Sequence, residues 1–216
     1  IFLDEIMRQT DEEFQFHLTN IRNKDYNEST LEYFNQRVGA ELKNYIELDP
    51  YNKGAYHKNR LRLDKLRGKV NFYNASFTGP KWAKDKFKTM NCFANSLPLK
   101  MKCRVLITKN NSGLGIVNGD LGTVTSLRPL EVRVDRTGDV VAMSKVKYEL
   151  RDGAGKVVAT AMQVPLKLGY AITTHKSQGL TLSKAKMSVH SCFEPNMLYV
   201  ALSRVRELED MSLVKP

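Results

Sequence analysis

The run Ala171–Leu182, AITTHKSQGLTL, sets a cluster of polar residues between two apolar pairs. At the end of a strand in an α/β protein, the turn into the next helix is where ligands sit. Thr174, His175, Lys176 and Ser177 would present hydroxyl, imidazole, ammonium and backbone N–H groups together there. A helix start would add its positive dipole end. That set matches a phosphodiester backbone, where contacts position a strand without reading its sequence. The plainer alternative is a solvated N-cap turn, because Ser and Thr are ordinary caps.

A second stretch, PNMLYVALSRVR at residues 195–206, reads as a helix with a core stripe of Leu198, Ala201, Leu202 and Val205. Pro195 suits its first turn. Arg204 falls on the flank of that stripe. An arginine there can be held rigid while its guanidinium points across a cleft, as an arginine finger must to stabilise charge on a transferring phosphoryl group. Arg206 reads instead as a partner of the helix C-terminal dipole.

Other chemistry is poorly supported. Gly153-Ala154-Gly155-Lys156-Val157 lacks both the spacing and the Ser or Thr of a phosphate loop, so it reads as a hairpin turn. Leu3-Asp4-Glu5 resembles the acidic end of a nucleotide-binding strand, with only three residues to build one. His17, His57 and His190 lack ligand-spaced partners, so no metal site is expected. Cys92, Cys103 and Cys192 are odd in number and contain no CxxC pair, which argues for buried free thiols and a reducing, intracellular compartment. That compartment could be bacterial or virus-infected cytoplasm, a nucleus or a mitochondrion.

These residues need elements to position them. The 216 residues, 42% hydrophobic, suit one domain with a small insertion. No apolar run approaches the roughly 18 residues of a membrane span, and the first residue is Ile1, which suggests a fragment. The 34 basic against 23 acidic residues give a net charge of +11, the footprint of a nucleic-acid partner.

Along the chain, Thr10-Asp11-Glu12-Glu13 predicts a capping box with Thr10 as N-cap, ahead of a helix facing inward through Phe14, Leu18 and Ile21. Ser29-Thr30-Leu31-Glu32 repeats the device before Leu31, Phe34 and Val38. A loop is expected from Asp49 to Lys53, a helix from Tyr56 to Arg67, a strand from Val70 to Ala75 and an exposed loop from Thr78 to Lys88. Arg104–Thr108 reads as a strand, and Asn110–Gly122 must turn sharply. Short alternating runs at 123–127, 130–135, 140–143, 146–150 and 156–163, separated by turn signals, predict a small antiparallel barrel inserted at 121–163. Strands at Tyr170–Thr173 and Lys186–His190, each followed by a helix, complete an α/β pattern.

Taken together, TTHKSQG and YVALSRVR resemble motifs V and VI of the Pif/RecD-type superfamily one (1B) DNA helicases. The likeness continues in order: Met7-Arg8-Gln9-Thr10-Asp11 with Phe14 is similar to motif IV. The runs Leu97–Met101, Asn118–Gly122 and Val164–Ala171 are similar to those flanking that family's small inserted barrel. Residues 41–88 match only loosely.

The resemblance implies the C-terminal half of such a helicase. Its fold would be a second RecA-like (P-loop NTPase-type) parallel-sheet domain, 2A, at 1–120 and 164–216. A Src-homology-three-like β-barrel, 2B, would sit at 121–163. Arg204 would be the catalytic arginine finger. Arg8 and Gln9 would lie near the ATP γ-phosphate, and Gln178 and Gly179 would couple nucleotide to DNA. Thr174, His175, Lys176 and Ser177 would hold single-stranded DNA, the substrate being a single strand or a duplex with a 5′ single-stranded tail. ATP and Mg²⁺ would be held mainly by a first domain that these residues do not contain, so this chain alone is expected to hydrolyse no ATP. Three rival expectations remain: a single-strand binder that has lost the motor, a module docking a protein partner through the barrel, and an RNA-directed helicase.

Overall fold

A computed structural model of the protein describes residues 8–90, 94–189, 192 and 196–214. The chain forms two compact units, residues 1–60 with 170–216 and residues 61–169.

The first unit is built on a four-stranded parallel sheet in the order β12-β1-β13-β14. These strands are β1 (Ile46–Asp49), β12 (Ala171–Thr173), β13 (Ala185–Met187) and β14 (Met211–Leu213). Ile46, Leu48, Ala171, Ala185, Met187, Met211 and Leu213 are all buried, as parallel strands covered on both faces require. β1 and β14 were not expected from sequence. Each has three or four residues, too few for alternation to register, and the parallel ladder defines them.

Two helices precede the sheet. α1 (Glu12–Asn23) is capped by Asp11, whose carboxylate accepts the Phe14 N–H at 2.6 Å. The cap therefore falls one residue after the expected Thr10. α2 (Glu28–Asn35) is capped by Asn27, and its inner face is Thr30, Tyr33 and Phe34, while Leu31 is exposed. Phe14, Phe34, Tyr33 and His17 pack as one aromatic group, with the His17 ring stacked on Tyr33 at 4.2 Å.

α3 (Asn52–Asp64) begins after only Pro50 and Tyr51, so helix takes the last two residues of the expected loop and starts four residues before Tyr56. Asn59 fixes its inner face to edge strand β12: its Oδ1 accepts the N–H groups of Tyr170 and Ala171, and its Nδ2 donates to the Ala171 carbonyl at 2.6 Å. Lys58 pairs with both Glu47 and Asp49 at 3.0 Å.

In the second unit, all five strands expected between 121 and 163 form: β6 (Leu121–Leu127), β7 (Leu130–Val134), β8 (Val140–Ala142), β9 (Val146–Arg151) and β10 (Val157–Gln163). Their partners lie outside that interval. β5 (Arg104–Ile107) and β11 (Leu166–Leu168) extend the antiparallel sheet β11-β5-β6-β7-β8, and β3 (Ser76–Thr78) completes β3-β10-β9. Open strand edges demand hydrogen-bonding partners, and these flanking strands supply them. The compact unit thus runs from 61 to 169, wider than the 121–163 division.

β2 (Asn71–Asn74) pairs with β4 (Ser96–Leu99). The expected exposed loop at 78–88 is mostly helix α4 (Lys81–Thr89), whose Ala83 and Phe87 pack with Leu150, Ala159 and Ala161. Its basic composition masked an i, i+4 apolar pair. No helix among the described residues is long and apolar enough to cross a membrane.

Candidate phosphate and single-strand site

The predicted last helix is short. α5 (Met197–Leu202) ends at Ser203, leaving C-terminal carbonyls that need donors. Side chains from the opposite end of the chain supply them. Arg8 donates from Nη1 to the Ser203 carbonyl at 2.8 Å. Gln9 Nε2 donates to the Ser203 carbonyl at 3.2 Å and to the Val205 carbonyl at 2.7 Å. Gln9 is 3% exposed and both its amide hydrogens are engaged, so it acts as a positioning residue for the end of α5. Met197 is fully buried where Leu198 was expected to be, while Ala201, Leu202 and Val205 lie in the core as read from sequence. Pro195 and His190 lie outside the described residues.

Arg204 is 6% exposed. Its Nε donates to the Val200 carbonyl at 2.6 Å and its Nη2 to the Ser203 hydroxyl at 2.5 Å. Arg8 Nε donates to Thr181 Oγ1 at 3.1 Å. Both arginines therefore converge on Ser203, and among the described residues neither pairs with a carboxylate. Burial, reinforced by the like charge of Arg8, pushes the Arg204 guanidinium down to about 10, partly offset by the Tyr199 phenol. Burial likewise lowers Arg8, with Tyr199 opposing. Two half-desolvated cations without a counter-ion among the described residues form a site that an anion would stabilise.

The polar turn sits at the C-terminal end of β12. It contains a single 3-10 turn at His175–Ser177, not the start of an α-helix, so a helix dipole contributes little. Thr174 and Ser177 are buried: the Thr174 N–H donates to the Asp49 carbonyl at 3.0 Å, and the Ser177 hydroxyl to the Thr174 carbonyl at 2.6 Å. They shape the turn. His175, Lys176, Gln178 and Gly179 are exposed. Gly179 has φ +82 with open space around it, a backbone conformation that only glycine adopts without strain. It lets the chain reverse toward Thr181, which holds Arg8, and Leu182, whose N–H donates to the Arg204 carbonyl at 2.8 Å.

The structure thus joins Arg8, Gln9 and Arg204 in one cluster, linked through Thr181 and Leu182 to the turn at 174–179. Thr181, Ser203, Tyr199 and Asp49 were not singled out from sequence. Thr181 and Ser203 stood inside the two motif stretches, but nothing local marked them as partners of Arg8. The donor set fits phosphate oxygens. Among the described residues no group of three His, Cys, Asp or Glu side chains lies together to hold a metal ion. Cys103 is buried, which pushes its thiol up to about 11, and Cys192 is half-buried.

No family model matches the chain. Individual proteins do, and they are helicases. An ATP-dependent DNA helicase Pif1 of Bdellovibrio bacteriovorus is 30% identical over 99% of this chain and 49% of its own length. The crystal structure of a double mutant of Pif1 helicase from Bacteroides superposes with a TM-score of 0.83 at 30% identity, over 98% of this chain and 50% of that one. A Bacteroides Pif1 helicase in complex with ADP-AlF3 and ssDNA matches with a TM-score of 0.62 at 29% identity, over 99% of this chain and 51% of its own. The fold and these relatives define a domain of helicase type. More narrowly, the chain belongs to the Pif1 helicase family, spanning about half the length of these relatives.

Proposed function

We propose that this chain is the C-terminal motor half of an ATP-dependent 5′-to-3′ DNA helicase, with the parallel-sheet unit acting as a RecA-like 2A domain. The strands around 121–163 would form the Src-homology-three-like 2B barrel. The observation that carries this reading is the convergence of Arg8 and Arg204 on Ser203 with no carboxylate partner among the described residues. Phosphoryl transfer is catalysed mostly by positioning and electrostatics. Arg204 is the arginine finger and Arg8 a second phosphate contact, both held by the end of α5. ATP would supply the anion, and Mg²⁺ its charge neutralisation, with the Walker A lysine coming from residues outside this chain. His175 and Lys176, exposed at the mouth of β12, grip the phosphodiester backbone of single-stranded DNA. Thr174 and Ser177 hold the turn in shape.

Because the turn continues through Gly179 into Thr181 and Leu182, a shift at the phosphate site moves the strand grip. That is the coupling a translocase needs. The test is DNA-stimulated ATP hydrolysis by the full parent chain with and without Arg204→Ala. Loss of turnover by about 10³-fold with single-strand binding retained supports the reading. An inactive parent, or a variant that turns over normally, sinks it.

A further inference from the structure

The outward face of α3 has no role in the site above. Lys53, Tyr56, His57 and Arg60 follow i, i+3, i+4, i+7 spacing and are all exposed, so they share one face of the helix. Its opposite face is occupied by Ala55, Lys58 and Asn59, through burial of the alanine, the ion pairs to Glu47 and Asp49, and the bonds to β12. Tyr51, just before the helix, is 54% exposed, and Tyr56 is 69% exposed. From Pro50 to Leu63 the sequence contains no acidic residue and four cations, Lys53, Lys58, Arg60 and Arg62. Lys58 is paired with the carboxylates of Glu47 and Asp49 on β1.

The placement of this face is fixed by hydrogen bonds. The Asp49 carbonyl accepts the Thr174 N–H, and the Asp49 carboxylate accepts the Tyr51 N–H at 2.8 Å. Tyr51 therefore begins where the turn at 174–179 begins. Asn59, further along the helix, is bonded to the start of β12. α3 thus runs from the turn end of the sheet back toward its beginning, carrying its basic and aromatic face with it. Gly54 makes the close approach possible: a Cβ there would lie 2.4 Å from both Asp49 carboxylate oxygens.

We propose that this face is a stacking platform for single-stranded DNA leaving the 174–179 turn, with Tyr51 and Tyr56 receiving bases and Lys53 the backbone. Exposed aromatic rings interleaved with cations are the combination that binds single strands without sequence preference: the rings stack on any base and the cations follow the phosphates. A bare, solvated helix face would need the cations but has no use for two tyrosines in water. The inference rests on the proposed strand grip of the turn.

The test is binding of fluorescein-labelled oligo-dT to the full parent chain, in parallel with Tyr51→Ala, Tyr56→Ala, Tyr56→Phe, Lys53→Ala and Lys176→Ala. Tyr56→Ala is expected to weaken binding by about 5- to 100-fold, and Tyr56→Phe to bind as the parent does. Lys53→Ala should reduce the slope of log affinity against log salt by about 0.7. Replacing thymidine by 5-iododeoxyuridine and irradiating should give a crosslink on Tyr51 or Tyr56. If Lys176→Ala weakens binding while both tyrosine-to-alanine variants match the parent and no crosslink forms on α3, the platform is wrong and the strand grip stands. If the parent itself does not bind oligo-dT, the strand grip fails and the platform with it.

Discussion

Arg8 and Arg204 meet at Ser203: one guanidinium donates to its carbonyl and the other to its hydroxyl. Each cation lowers the cost of the helix end and raises the cost of its neighbour. The protein holds two positive charges together, partly out of water, without a carboxylate between them among the described residues. Such an arrangement stabilises little in the absence of an anion.

The electrostatic cost is measurable. The Arg204 guanidinium is depressed to about 10 in the folded state, below its unfolded value. A group of that kind binds its proton more weakly when folded. Its charge therefore costs stability at every pH below the folded value, and the cost is relieved as pH rises through 10. Relative to Arg204→Met, the wild type is expected to gain stability as pH climbs past 10. At pH 7, sulfate at constant ionic strength should raise the melting temperature of the wild type more than that of the variant. Parallel melting curves against pH and sulfate check both; equal responses would mean that Arg204 carries no anion site.

Gln9 gives a different signature. Gln9→Leu leaves the Val205 carbonyl without its side-chain donor and the Ser203 carbonyl with that of Arg8 alone. The expected cost is about 1–3 kcal/mol in urea unfolding, together with reduced ATP turnover in the parent chain because Arg204 loses its platform. An unchanged unfolding midpoint would show that the amide is dispensable.

Asn59 should matter through the edge of the sheet. Its side chain takes three hydrogen bonds with the backbone of Tyr170 and Ala171. Asn59→Leu is expected to cost about 1–3 kcal/mol and to speed amide exchange in the turn that follows β12. Hydrogen exchange of residues 174–180 is the readout, and unaltered protection there would separate Asn59 from the turn.

Lys176 is exposed and makes no shape-defining side-chain bond among those seen in the turn. Lys176→Ala is expected to leave the melting temperature unchanged and to reduce the salt dependence of oligo-dT binding by about one phosphate contact, a slope change near 0.7. Thr174→Val, at a buried position, should instead lower the melting temperature. Urea and salt titrations on both variants distinguish the two roles.

What was legible in the sequence is what repeats over short distances. The buried positions Ala201, Leu202 and Val205 follow from helical spacing, although α5 ends before Arg204 and buries Met197 where Leu198 was expected, and the five strands between 121 and 163 follow from alternation and turn residues. The likeness of TTHKSQG and YVALSRVR to helicase motifs was carried by residue order alone, and the relatives bear out the family it pointed to. β1, β14 and α4 escaped because three or four residues carry no readable period, and because lysines hid the Ala83 and Phe87 pair. The inward and outward sides of the 174–179 turn also escaped: a 3-10 turn decides that Thr174 and Ser177 are buried while His175 and Lys176 face water.

The central contact was beyond any local pattern. Arg8 and Ser203 lie 195 positions apart, and neither residue type signals the other. Residue identity set which groups were available for phosphate chemistry. Only tertiary packing, by burying the end of α5 so that its open carbonyls required donors, decided that Arg8 and Gln9 would supply them and bring a second cation to Arg204.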